Sequence, residues 1–167
     1  ICPAGGKPAL HAAVDNGADA VYMGFRNATN ARNFPGLNFT EDNARIAIEY
    51  AHAKGCQIYL TLNTYARPRD WLTSVHTVDS AVNMGVDALI VADIGLMNYI
   101  KKNHPNMRMH LSVQASASNC QAIQWYKRQF GITRVVLPRV LSVAQIRQVI
   151  SKTSADVEVF GFGGLCV

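Results

Sequence analysis

Short aliphatic or β-branched runs alternate with stretches of helical period along the whole chain. Ala20-Val21-Tyr22, Ile58-Tyr59-Leu60-Thr61-Leu62, Ala88-Leu89-Ile90-Val91 and Val135-Val136-Leu137 are runs of strand length bounded by turn residues. Between them, Leu10, Ala13 and Val14 share one helical face, and Ala44, Ala47, Ile48 and Ala51 follow the i, i+3, i+4, i+7 spacing of another. A device recurs where a helix gives way to a strand: Asn16-Gly17-Ala18-Asp19-Ala20, Lys54-Gly55-Cys56-Gln57, Met84-Gly85-Val86-Asp87-Ala88 and Phe130-Gly131-Ile132-Thr133. Each glycine suits the left-handed residue that ends a helix. Starts are marked as well. Pro8 fits a first helical turn, Thr40 precedes the acidic pair Glu41 and Asp42, Asp70 and Asn119 are further cap candidates, and Ser142 with Gln145 spells a capping box. The order is strand then helix throughout, with about seven strands centred near Ile1, Val21, Tyr59, Leu89, Leu111, Val136 and Val159.

Strict alternation implies a parallel sheet, open and doubly wound or closed into a barrel. In Ile58 to Asn63, the apolar set Ile58, Leu60 and Leu62 faces one way and Tyr59, Thr61 and Asn63 the other; His110-Leu111-Ser112-Val113-Gln114 splits likewise. A doubly wound sheet needs apolar residues on both faces, whereas a barrel can turn a polar set inward beneath a site. The expected fold is α/β, a parallel (β/α) TIM-like barrel with about seven strands present and its eighth beyond Val167. Residues 1–167 are read as one barrel domain within a longer protein, since the chain opens without Met at the end of a strand.

With 167 residues, 49% of them hydrophobic, the chain can bury one sizeable core. It has no apolar stretch of membrane-spanning length. Cys2, Cys56, Cys120 and Cys166 lie far apart without a CxxC, which points to a reducing, cytoplasmic setting rather than a disulfide scaffold. The net charge of +5 is spread without a basic run, so nucleic acid is permitted but not indicated.

Ligands of such barrels bind on the loops at the C-terminal strand ends. That rule selects Cys2 to Gly5, Tyr22 to Gly24, Asn63 and Thr64, Asp93, Gln114 to Ser116, Arg139, and Gly161 to Cys166. The connection from Gly24 to Thr40 is long for a βα loop and carries Arg26, Asn30, Arg32 and Asn33; with Arg67, Arg69 and Arg139 it could make a basic rim for a carboxylate or phosphate. Solvated or acid-paired arginines are the plainer alternative, with Arg139 evenly balanced between the two. Glu158 is expected in the lumen, either as an acid–base group or as a structural partner to an arginine or backbone group. His110 is similarly open to titration or to a buried structural role. The candidate catalytic residues are Asn63, Gln114, Arg139 and Glu158. Cys166, on the glycine-rich exit Gly161-Phe162-Gly163-Gly164-Leu165-Cys166, suits a nucleophile or a metal thiolate alike. No Ser/His/Asp or Cys/His arrangement, Walker loop or HExxH is legible.

Glu158-Val159-Phe160-Gly161-Phe162-Gly163-Gly164-Leu165-Cys166 resembles the first half of the signature of the collagenase-like peptidases (peptidase family U, number thirty-two), with Gly164 where Ser or Ala is usual. Cys2-Pro3-Ala4-Gly5-Gly6 and Asn16-Gly17-Ala18-Asp19-Ala20-Val21-Tyr22-Met23-Gly24 extend the likeness. Thr29 to Thr40, Leu111 to Asn119 and Val135 to Ser142 resemble the branch of that family that serves ubiquinone biosynthesis. The resemblance implies a subunit of an oxygen-independent hydroxylase acting on a ubiquinone precursor, heterodimeric with a paralogue and holding a 4Fe-4S cluster on four cysteines. Cys166 matches one cluster position, and the resemblance places the other three beyond Val167. The alternatives are an RNA-hydroxylating sibling and a peptidase, as the family name records.

Overall fold

The computed structural model describes residues 1–162. Seven strands, β1 (Cys2–Pro3), β2 (Ala20–Gly24), β3 (Gln57–Leu62), β4 (Ala88–Val91), β5 (Met109–Leu111), β6 (Arg134–Val136) and β7 (Asp156–Glu158), form one sheet in chain order. Every neighbouring pair is parallel. The crossovers are α1 (Lys7–Asp15), α2 (Glu41–Ala53), α3 (Trp71–Asn83), α4 (Ile94–Asn103), α5 (Cys120–Phe130) and α6 (Val143–Lys152). Val159 falls just beyond β7, a shift of strand seven toward the N-terminus relative to the sequence expectation.

The sheet curls. Arg134 on β6 reaches the Tyr59 hydroxyl on β3 at 3.5 Å, and His110 on β5 meets the Tyr59 ring edge-on at 4.7 Å, contacts between strands that are not neighbours. Ile1 and Glu158, from opposite ends of the sheet, line one cavity of about 710 Å³ with Gln57, Tyr59 and Arg134. The expected barrel curvature is therefore present over seven strands, with the helices outside.

Alternation along the strands separates an outer face, apolar as the sequence predicts, from an inner face that is part apolar where a wholly polar one is expected. Val21, Met23, Ile58, Leu60, Leu62, Leu89, Val91, Leu111 and Val135 face outward and join Leu10, Ile48, Ala51, Met97, Ile100 and Ile123 of the helices in the main core. Ala20, Tyr22, Tyr59, Ala88 and Ile90 face inward and form a second, smaller cluster. Each fully buried side chain in the outer layer contributes on the order of 2 kcal/mol by leaving water.

The joints follow the sequence. Gly17, Gly55, Gly85 and Gly131 all have positive φ, between 73° and 84°. The Thr40 hydroxyl accepts from Asn43 N–H, Asn119 caps α5 through Ala122 N–H, and Ser142 with Gln145 completes the capping box. Asp70 departs from expectation. It precedes α3, but its carboxylate caps nothing and instead pairs with Arg67 at 2.7 Å, because a 3-10 turn over Pro68–Asp70 carries it away from the helix axis.

Candidate functional site

Tyr22 faces inward on β2, beside Tyr59 in the inner cluster. Burial raises its phenol pKa; among the neighbouring charges Arg32 and Arg139 oppose the shift and Glu158 adds to it. The charges that bear on this phenol come from the β2–α2 connection, the exit of β6 and the end of β7, with Cys2 of β1 adding to the rise.

The β2–α2 connection is folded by its own amides. Phe25 and Phe39 pair across it and are both buried. Asn27 Oδ1 accepts from the N–H and hydroxyl of Thr29, and its amide donates to Thr77 on α3. Asn30 is 7% exposed; its Oδ1 accepts from Arg32 N–H at 3.0 Å and its Nδ2 donates to Asn38 Oδ1 at 2.9 Å. Asn38, held at a φ of 70°, donates to the Arg32 carbonyl at 2.7 Å.

The candidate residues separate into groups. Asn63 accepts from Ala31 N–H at 2.9 Å, so it anchors the connection to the end of β3. Gln114 is exposed and sits in a 3-10 turn over Val113–Ala115, not on a strand face; the Ser112 hydroxyl caps that turn and breaks the alternation expected through Gln114. The Gln114 carbonyl accepts from the Tyr65 hydroxyl at 2.7 Å. Arg139 is exposed and lies flat on Phe160, its guanidinium carbon 3.4 Å from the ring centroid, a stacking that also fixes its direction. Glu158 lies inside the curl as expected, 3.8 Å from Arg134. Burial raises its pKa, Arg134 only partly offsets this, and its Oε2 has no hydrogen-bond partner.

For three of the arginines the plainer reading, engagement within the loops, holds. Arg26 donates to the carbonyls of Leu37 and Asn38, and Arg67 and Arg69 both face Asp70. Arginines bound this way stabilise loops; Arg32 and Arg139 are the cations whose charge opposes the rise in the Tyr22 pKa. Asp93 also has a structural role: it caps α4 through Leu96 N–H at 2.8 Å and accepts from Ala66 N–H.

Beneath the mouth lies a polar layer. His110, 3% exposed, has an unpartnered Nδ1, and its pKa is lowered to about 4, chiefly by burial and then by the charges of Arg134 and Arg108. Arg134 faces Asp156 at 3.5 Å as well as Glu158. The part played by Tyr22 and Asn30 was the least visible feature of the sequence. Tyr22 fell among the strand-end residues by position alone, and Asn30 stood beside Asn33 as a polar loop residue with nothing in the sequence to mark it as buried.

Among the described residues, no group of three or more His, Cys, Asp or Glu is placed to hold a metal. Cys2, Cys56 and Cys120 are free thiols on β1, before β3 and at the start of α5, too scattered for a cluster that needs several thiolates together. Cys166 lies outside the described residues. The described part of the chain alone does not provide a cluster site.

The U32 peptidase Mk0906 superposes with a TM-score of 0.76, at 16% identity, over 95% of this chain and 66% of that one, which supports the barrel fold. The tRNA hydroxylation protein P of Escherichia coli K12 is 35% identical over the whole of this chain, which spans 36% of that protein's length. The 23S rRNA 5-hydroxycytidine C2501 synthase of the same organism is 32% identical over 24% of its length, and a collagenase of Porphyromonas gingivalis is 31% identical over 42%. The chain thus spans about a third of the curated relatives it matches. Residues 5–167 match the family described as Peptidase family U32, and the chain belongs to that family.

Proposed function

We propose that this chain forms the barrel of a UbiU-like subunit of an oxygen-independent hydroxylase, acting on an aromatic ubiquinone precursor in a heterodimer with a UbiV-like paralogue. The observation that carries this reading is where the likeness to that branch falls. Its three quoted stretches, Thr29 to Thr40, Leu111 to Asn119 and Val135 to Ser142, each contain the exit of a strand or the connection that follows it, so the resemblance is concentrated where a ligand would bind. Tyr22 and the Arg139–Phe160 stack give that mouth an aromatic lining suited to a planar ring, with Arg32 and Arg139 supplying positive charge. In the whole protein Cys166 and three further cysteines would hold a 4Fe-4S cluster, which supplies redox or ligand chemistry when bound.

The test is iron and sulfide analysis of the intact protein purified without air, together with its paralogue, followed by an anaerobic hydroxylation assay on the quinone precursor. Iron-bearing protein that hydroxylates the precursor is expected. Colourless, iron-free protein after reconstitution sinks the reading.

A second reading, hydroxylation of RNA, is favoured by the names of the relatives at 35% and 32% identity. It requires affinity that falls steeply with salt as phosphate contacts are lost. Three of the mouth arginines, Arg26, Arg67 and Arg69, already face loop carbonyls or Asp70, which lowers the charge on offer. No histidine of this chain stands at the mouth to serve a peptidase as base: His11, His52 and His76 lie on helices, His104 pairs with Asp79 at the end of α4, and His110 is buried within the barrel.

A further inference from the structure

The acids of this chain are placed unevenly. All eleven lie outside Ile94 to Ala155, a stretch that holds nine of the sixteen lysines and arginines and folds as α4, β5, α5, β6 and α6. Of the nine, Arg134 lies inside the curl and Arg139 stands at the mouth. The other seven belong to the three helices and to the connection before β5. Barrel helices run opposite to the strands, so their C-terminal ends gather on the face away from the mouth. Side chains join the three ends there. Lys101 on α4 donates to the Gln129 carbonyl on α5 at 2.5 Å, Gln124 on α5 donates to the Lys152 carbonyl on α6 at 3.0 Å, and Lys127 donates to the Ser154 carbonyl at 2.7 Å. Lys102, Arg128 and Lys152 stand exposed on this surface, and among the described residues no acid pairs with any of them.

A cation in the last turn of a helix complements the helix dipole. That need is common to all the helices, yet α1 and α3 end without one, so the dipole alone does not account for three neighbours that all carry them. Trp125 is a second, independent observation. It is 41% exposed on α5, one turn before Arg128, with its ring set edge-on to Phe130 at 5.7 Å. An indole held in place, open to solvent and beside an arginine has the composition of an interface centre.

We infer that the joined ends of α4, α5 and α6 are a docking surface for an acidic protein, with Trp125 as its anchor and Lys102, Arg128 and Lys152 as its charged rim. Like charge without acids costs the folded chain self-repulsion, which an acidic partner relieves. Position favours a protein over other polyanions. An RNA or lipid surface that delivered a substrate would have to meet the mouth, whereas these cations lie at the opposite end, where a partner leaves the mouth open. The partner is the UbiV-like paralogue, an identification that rests on the heterodimeric reading above, and its opposing surface is acidic.

The test measures association of the intact protein with that paralogue, both purified without air, by surface plasmon resonance at low and high salt. Lys102→Glu and Lys152→Glu should each weaken binding roughly tenfold, through slower association and a shallower salt dependence. Trp125→Ala should weaken it roughly thirtyfold with the salt dependence kept. Lys7→Glu and Arg45→Glu, exposed on α1 and α2, should leave it unchanged. Carbodiimide treatment of the complex should link Lys102 or Lys152 to an Asp or Glu of the paralogue, and urea unfolding of each variant alone should match the parent. Association that survives both reversals and Trp125→Ala overturns the surface and leaves the heterodimer standing. Absence of association between the parent proteins overturns both. If the reversals leave pairing intact but abolish retention of RNA or of vesicles of anionic phospholipid, the surface serves that polyanion and the protein partner is overturned.

Discussion

The β2–β4 and β5–β7 halves of the sheet are built to different ends. In the first, β3 runs for six residues, its inner face is lined by Tyr22, Tyr59, Ala88 and Ile90, and its long connection is sewn down by asparagines. In the second, each strand is only three residues long and the inner face carries His110, Arg134 and Glu158. The difference separates two tasks: the first half supplies rigidity and a fixed wall to the mouth, while the second supplies the groups whose protonation can change.

That division can be broken most severely in the first half. Leu60→Ala, at a fully buried position in the middle of β3, should cost roughly 4 kcal/mol through lost burial and the cavity left behind, read from urea unfolding.

In the second half the lever is acid. His110 is held neutral, with a pKa of about 4 against 6.5 when solvated, so the unfolded chain binds more protons than the folded one between those values. Stability is complete above the unfolded pKa and falls as pH drops toward 4, by about 3 kcal/mol in all. His110→Gln should flatten that slope in unfolding measured from pH 7 down to pH 4. Glu158 works in the opposite sense. Its raised pKa means the folded chain holds the proton more tightly, so its contribution is present at low pH and is lost as pH climbs through that pKa.

A smaller effect sharpens the contrast at the mouth. Gly24→Ala should cost about 2 kcal/mol, since the methyl group must displace a hydrogen-bonded, buried Asn30; thermal unfolding would read it. Smallest, Ser142→Ala removes the capping box of α6 and should cost about 1 kcal/mol, checked by the same unfolding curves.

What the sequence revealed follows the range of the interactions. Strand alternation, helix faces and caps depend on residues within a turn or two of one another, and Thr40, Asn119 and Ser142 behave as their neighbours dictate. Asp93 and Asp70 show the limit of that logic. One stands at a strand end yet serves as a helix cap, and the other stands at a helix start yet serves an arginine. The site was harder to read, because its arrangement depends on bonds between distant residues: Asn63 meets Ala31 across 32 positions, and Tyr59 meets Arg134 across 75. Arg26, Arg67 and Arg69 looked available because arginine is identified by its charge, while its partners were carbonyls and a carboxylate that only the folded chain brings near.

The four glycine joints carry one more consequence. Nothing lies within 4 Å of where a side chain would begin at Gly17, Gly55, Gly85 or Gly131, so each joint requires a handedness and asks nothing of its surroundings. The residues beside them do the joining instead: Asp87, after Gly85, holds His52 and the Ile58 N–H, and Lys54, before Gly55, holds Asp15, so these two joints set the direction of the chain at the glycine and tie the next βα unit to the last through a charged neighbour.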